Sequence, residues 1–151
     1  MPGRFLGVLF CGETPVTEYK LQRDGDSPVA FAGELLNEAD SQGHQGPTEN
    51  RWYQVRIYRT MSGKFVVEIG FRTHWQGESD RNWVEICDTP AEVRRILTAF
   101  DPCRSGIWAG IPPGVHDADR RNQITRSAID TAFRRAVSDA LNVDEFVERV
   151  E

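Results

Sequence analysis

Trp52-Tyr53-Gln54-Val55-Arg56-Ile57-Tyr58-Arg59-Thr60, then Met61-Ser62-Gly63, then Lys64-Phe65-Val66-Val67-Glu68-Ile69-Gly70-Phe71-Arg72-Thr73, is the stretch that decides the fold. Both flanks are rich in β-branched and aromatic residues and alternate with a period of two, the pattern of a strand with one buried face. A three-residue loop ending in Gly suits a type I turn closed by a residue in the left-handed region, so the flanks form a hairpin closing at Thr60 and Lys64. Counting back pairs Ile57 with Val67, Val55 with Ile69 and Tyr53 with Phe71, and these six share one face. The other face pairs Arg56 with Glu68 and Trp52 with Arg72. A slip of one residue would mix the faces, so the pattern selects this register. Opposite charges across the ladder, and an aromatic beside Arg, each favour it by about 0.2–1 kcal/mol.

Downstream, Asn82–Cys87 reads as a third strand after the loop Gln76-Gly77-Glu78-Ser79-Asp80, completing a meander over 52–88. Thr89-Pro90-Ala91-Glu92 then makes a capping box with Pro at the first helical position. The helix it opens, 90–100, carries Val93, Ile96, Leu97 and Phe100 at i, i+3, i+4, i+7 and stops at Asp101-Pro102. A longer helix is expected from about Asp117 to Leu141. Its Ala128, Ala132, Ala136 and Ala140 form one row, with Ile129, Phe133 and Val137 beside it. Asp130–Arg134 is one of its stabilising four-residue pairs. Asp144 to Val150 is expected to add a short acidic helix.

Upstream, Phe5–Phe10 and Glu18–Gln22 read as strands, Arg23–Pro28 as a turn and Val29–Phe31 as a short strand. Gly33–Ala39 fits a helical turn or more strand, and the pattern leaves both open. A mobile loop is expected over 40–50, and an ordered Pro/Gly linker, pinned by Ile107 and Trp108, over 101–116. The expectation is a single α+β domain over 1–151: an antiparallel sheet of four to six strands, centred on the meander, with both helices packed on it.

The chain has 151 residues, of which 27% are charged and 39% hydrophobic, ordinary values for a soluble globular domain. A net charge of −5 gives no global basic signal for nucleic acid or membrane. Three cysteines, Cys11, Cys87 and Cys103, lack the spacing of a zinc knuckle, and their odd number does not fit a disulfide scaffold. With no signal-peptide pattern and no apolar run long enough for a span, a cytoplasmic protein without membrane association is expected.

No motif for nucleotide binding, serine hydrolysis or zinc proteolysis is present, and neither a cofactor nor a metal is expected. The conceivable enzyme sites are a Cys87/His74 pair on neighbouring strands, or a carboxylate site among Glu78, Asp80, Glu85 and Asp88. Against these stand a core thiol and solvated loop acids. Trp52, Arg56, Tyr58, Arg72, His74 and Lys64 share the face opposite the core. Aromatics and Arg on an open sheet are what a single-strand stacking platform uses, unless another layer, such as the long helix, covers that face. Trp and Arg are also the residues most enriched at protein hot spots, and Trp75 joins this set at the mouth of a loop. The alanine row offers a homodimer seam.

Arg23–Leu36 and Arg51–Glu78 resemble small uncharacterised bacterial proteins found on plasmids, prophages and integrated elements. The resemblance spans roughly residues 17–100, rests on turns and strands, and carries over no functional residue. It implies a mobile-element context. The leading expectation is a non-enzymatic accessory protein that binds a macromolecular partner, with Trp52, Arg56, Tyr58, Arg72, His74 and Trp75 as its contact surface. An inhibitor of host defence is one concrete form. A nucleic-acid binder and a small enzyme are the alternatives.

Overall fold

A computed structural model describes residues 3–11, 14–42, 51–74, 76–103 and 116–150, with side chains at 16–42, 51–74, 76–103 and 127–150. The expected α+β class is what it shows. Six strands, β1 (Gly3–Cys11), β2 (Thr14–Leu21), β3 (Val29–Asp40), β4 (Arg51–Thr60), β5 (Phe65–Thr73) and β6 (Arg81–Cys87), precede two helices. These are α1 (Pro90–Ala99) and α2 (His116–Ala140), and a 3-10 turn at Asp144–Phe146 stands where a short acidic helix was expected. The strands form one antiparallel sheet in sequence order.

The β4–β5 register is the one the hydrophobic pattern selects: Ile57 faces Val67, Val55 faces Ile69, Tyr53 faces Phe71 and Arg56 faces Glu68. The Thr60 N–H donates to the Lys64 carbonyl at 2.8 Å. Gly63 takes a φ of 88°, the left-handed conformation that closes the loop.

The open question over 33–39 resolves as strand. β3 is continuous because two local devices let it cross beside β4. At Gly33 a Cβ would collide with the Arg59 carbonyl oxygen and lie 2.9 Å from the Thr60 Cα, so only Gly permits the approach. The register then shifts between Leu35 and Asn37. This bulge turns both Leu36 and Asn37 toward the helices and returns Glu38 and Asp40 to the opposite face, across from Arg56 and Gln54.

Both helices cover the face that carries Tyr53, Val55, Ile57, Val67, Ile69 and Phe71. The Thr89 hydroxyl accepts from the Glu92 N–H at 3.2 Å, as a capping box requires. The Glu92 carboxylate reaches the Asp88 N–H, one residue short of the cap itself. Ile129, Phe133 and Val137 of α2 are buried against the sheet, as are Ala132, Ala136 and Ala140, whereas Ala128 is exposed. Most of the alanine row is therefore used within the chain and is not a free dimer seam. Arg134 donates to the carbonyls of Leu97, Thr98 and Phe100 and so caps the C-terminus of α1. The Asn37 amide does the same for α2, donating to the Asp139 and Ala140 carbonyls.

The other face is not open. The Asp24 N–H donates to the Asn82 carbonyl at 3.0 Å, and Arg23 Nη1 to the Val84 carbonyl at 3.2 Å. The β2–β3 turn thus lies against the outer edge of β6, and the sheet curls on itself into a half-barrel. Strand twist accumulated over six strands makes this curl accessible, and the turn covers an edge that would otherwise template pairing. Inside the curl, Leu21, Val29, Tyr58, Val66 and Val84 form a second core. Tyr19, Phe31 and Tyr58 pack ring on ring with centroids 4.9–5.3 Å apart.

Candidate functional site

The ladder places three polar rows across the inner face of the curl: Arg56–Glu68–Val84, Gln54–Gly70–Asn82 and Trp52–Arg72. The sequence leaves open whether this Arg/aromatic face is exposed or covered, and the structure covers part of it. Tyr58 is 1% and Arg72 6% exposed. The covering layer is the sheet's own curl, not α2, so neither residue offers a stacking platform. Trp52 and Arg56 are half-buried and His74 is exposed. Trp52 and His74 meet edge to face with centroids 4.8 Å apart. Lys64 is exposed and stands 3.7 Å from Asp88. Trp75 lies outside the described residues.

Burial forces the inner polar groups to find partners. Arg72 donates to the carbonyls of Phe71 and Arg81, to Asn82 Oδ1 and to Gln54 Oε1. Its guanidinium lies flat over Gly70, where a Cβ would come within 2.5 Å of Cζ. Glu68, 1% exposed, accepts from the Tyr58 hydroxyl at 2.9 Å and stands 3.9 Å from Arg56 Nη1. Its Oε2 has no hydrogen-bond partner among the described residues. Burial pushes the Glu68 carboxyl above its usual range, against the opposing pull of Tyr58, Arg56 and Arg72. Burial also raises the Tyr58 phenol.

A raised folded pKa means that the fold favours protonated Glu68. That contribution is complete below the unfolded value near 4.5 and is lost as pH rises through the higher folded value. Glu68→Gln keeps an acceptor for Tyr58 and removes the charge. The variant should melt above the parent at pH 8, with the gap closing toward pH 4.5. Parallel melting curves at all pH values would show that the carboxylate is not strained.

Arg56 links this interior to the surface. Its Nε donates to Glu38 Oε2 at 2.9 Å, while Nη1 faces Glu68 behind it. Glu38, Ala39, Asp40, Gln54 and Arg56 line a polar groove of about 240 Å³ along the β3–β4 seam. Trp52 lies two residues from Gln54 on the same face of β4. Sequence reasoning missed Glu38 and Asp40, since one falls in the undecided segment and the other at the start of a loop. A carboxylate inside the apolar run Val66–Phe71 was the available sign that Glu68 has a special environment.

The Cys87/His74 pair does not assemble, whereas Glu78 and Asp80 meet at Thr73. Cys87 pairs with Phe65 at one end of β5, whereas His74 follows its other end, about 30 Å away at the rise of an extended strand. Cys87 is buried, and burial pushes its thiol up to about 11, the opposite of an activated nucleophile. Glu78 forms a two-bond pair with Arg51 and accepts from Thr73, and the Arg51 contact holds its carboxyl below the usual range. Asp80 accepts from the Thr73 N–H, while Asp88 sits at the far end of the sheet beside Lys64. Among the described residues no group of three or more His, Cys, Asp or Glu is placed to hold a metal ion. Nor is any helix among them long and apolar enough to cross a membrane.

Comparison with protein-family models, with curated proteins and with solved structures finds no match.

Proposed function

We propose that this chain is a non-enzymatic accessory protein of a bacterial mobile element that works by binding a macromolecular partner, inhibition of a host defence being its concrete role. The mobile-element context comes from the resemblance of residues 23–36 and 51–78. The binding reading is supported by one observation above the others. Trp52, in edge contact with exposed His74, lies two residues from Gln54 on the face of β4 that carries the groove of Glu38, Asp40, Gln54 and Arg56. An aromatic anchor next to directional polar groups is the composition of an interface centre. A protein partner is preferred to nucleic acid, because the curl removes Tyr58 and Arg72 from the surface a strand would stack on.

The test is capture from the native host with the full chain. The parent should retain a discrete partner, and Trp52→Ala should lose it by at least about tenfold, the scale of a hot-spot truncation, while melting at a similar temperature. A protein that stays monomeric and retains nothing would overturn the reading.

A further inference from the structure

On the helix side of the sheet, β6 and α1 leave a groove of about 350 Å³ between them. Its floor is apolar, built from Ile69, Trp83, Ile96 and Phe100. The amphipathic helix buries Val93 and Leu97 beneath it, which turns Arg95, Ile96 and Ala99 to the groove. Trp83 and Phe100 meet edge to face with centroids 5.0 Å apart, and both stay half-buried. The rims carry opposite charges, Glu85 on the β6 side and Arg95 on the α1 side. Both are exposed, and neither forms an ion pair or a hydrogen bond among the described residues. Asp101, which also lines the groove, already accepts the Cys103 N–H. The main chain of β6 is in use as well, since the β2–β3 turn takes the Asn82 and Val84 carbonyls. An occupant must therefore be held by side chains.

We propose that the occupant is a second copy of this chain, docked about a two-fold axis that runs along the groove. Such an axis lays each β6 rim on the other copy's α1 rim, so Glu85 meets the partner's Arg95 on both sides. The apolar floors then close on one another at the centre, with the ion pairs at the edge, the arrangement of an interface with an aromatic core and a polar rim. A patch with one acid and one base on either side of an apolar centre is complementary to itself. A partner of uniform charge would meet a like charge at one rim, and such juxtaposition costs affinity. The lone chain leaves both charges unpaired and its large apolar side chains half wet, and this one contact answers both. The surface lies on the face of the sheet opposite Trp52 and the β3–β4 groove. Self-association and capture of a host partner can therefore fail separately.

The experiment is analytical ultracentrifugation of the full chain from about 1 μM to about 1 mM, a range that covers weak dimers. The weight-average mass should climb from one chain toward two. Glu85→Arg sets an arginine against the partner's Arg95 on both sides and should raise the dissociation constant at least about tenfold, and Arg95→Glu should do the same. Glu85→Arg/Arg95→Glu restores opposite pairs and should return to within about threefold of the parent, a recovery that only directly coupled positions give. Both positions are exposed and unpaired, so each variant should melt close to the parent, which separates a lost interface from a lost fold. Trp52→Ala should associate as the parent does. A chain that stays monomeric up to about 1 mM overturns the proposal. So does a dimer indifferent to the single swaps, or one that the double swap fails to restore.

Discussion

Phe133→Ala is expected to cost about 4 kcal/mol of folding stability, the upper part of the range for emptying a buried phenylalanine site. Phe133 is fully buried at the point where sheet, α1 and α2 meet. Its ring packs against Tyr53 at 5.4 Å and Phe100 at 5.2 Å between centroids. Tyr53 and Phe100 in turn contact Trp83. Tyr53 cannot tilt into a void, because its hydroxyl donates to the Pro102 carbonyl at 2.8 Å. Phe100 is held by Arg134, which donates to its carbonyl. The site therefore collapses poorly, and the transfer and cavity contributions both apply. Phe133→Leu, which keeps most of the volume, should cost under about 1.5 kcal/mol. Urea unfolding followed by tryptophan fluorescence measures both. A domain of this size has about 5–15 kcal/mol in hand, so the alanine variant should unfold at a much lower urea midpoint. If alanine cost no more than leucine, α2 would not be packed where the structure places it.

What the sequence reveals and what it hides divide along the range of the interactions. The β4–β5 pairing is readable because Gly63 limits the loop and a one-residue slip would expose Val55, Ile57 and Ile69. The capped start of α1 is readable because Thr89, Pro90 and Glu92 act within four residues of each other. Alternation also places Tyr58 and Arg72 on the face away from the helices. It cannot say whether that face is wet, because alternation records side and not cover. The cover comes from Arg23 and Asp24 meeting Val84 and Asn82 about sixty residues away. No local pattern carries that contact. β3 reads as interrupted because Gly33 weakens a strand on propensity alone, and its reason, the Arg59 carbonyl, lies on another strand. The bulge at Leu36 then shifts the alternation by one, hiding that Glu38 and Asp40 face Arg56 and Gln54. The groove is invisible in the sequence for the same reason.

Arg72→Met is expected to cost about 3 kcal/mol, the scale of breaking a buried charged network from one side. Methionine keeps the unbranched stem, so packing over Gly70 is largely retained and the loss isolates the guanidinium. Four acceptors lose their donor: the Phe71 and Arg81 carbonyls, Asn82 Oδ1 and Gln54 Oε1. Those reached by water recover part of the loss and those kept dry do not. The variant should also carry a pH dependence. Arg72 is one of the cations that hold the Glu68 carboxyl down against burial. Without it the folded pKa of Glu68 rises further above the unfolded value near 4.5. Protonated Glu68 tolerates the missing cation and ionised Glu68 does not. The cost of Arg72→Met should therefore be smaller at pH 5 than at pH 8. Adding Glu68→Gln should flatten that difference, since no ionisable group then remains at the position. Gly70→Ala attacks the same arrangement from beneath, because its methyl would sit within 2.5 Å of Arg72 Cζ and push the guanidinium off its acceptors. It should reproduce both the destabilisation and its pH slope. A loss for Arg72→Met that is the same at pH 5 and pH 8 would mean that Arg72 holds the three strands together through its hydrogen bonds alone, with no electrostatic hold on Glu68.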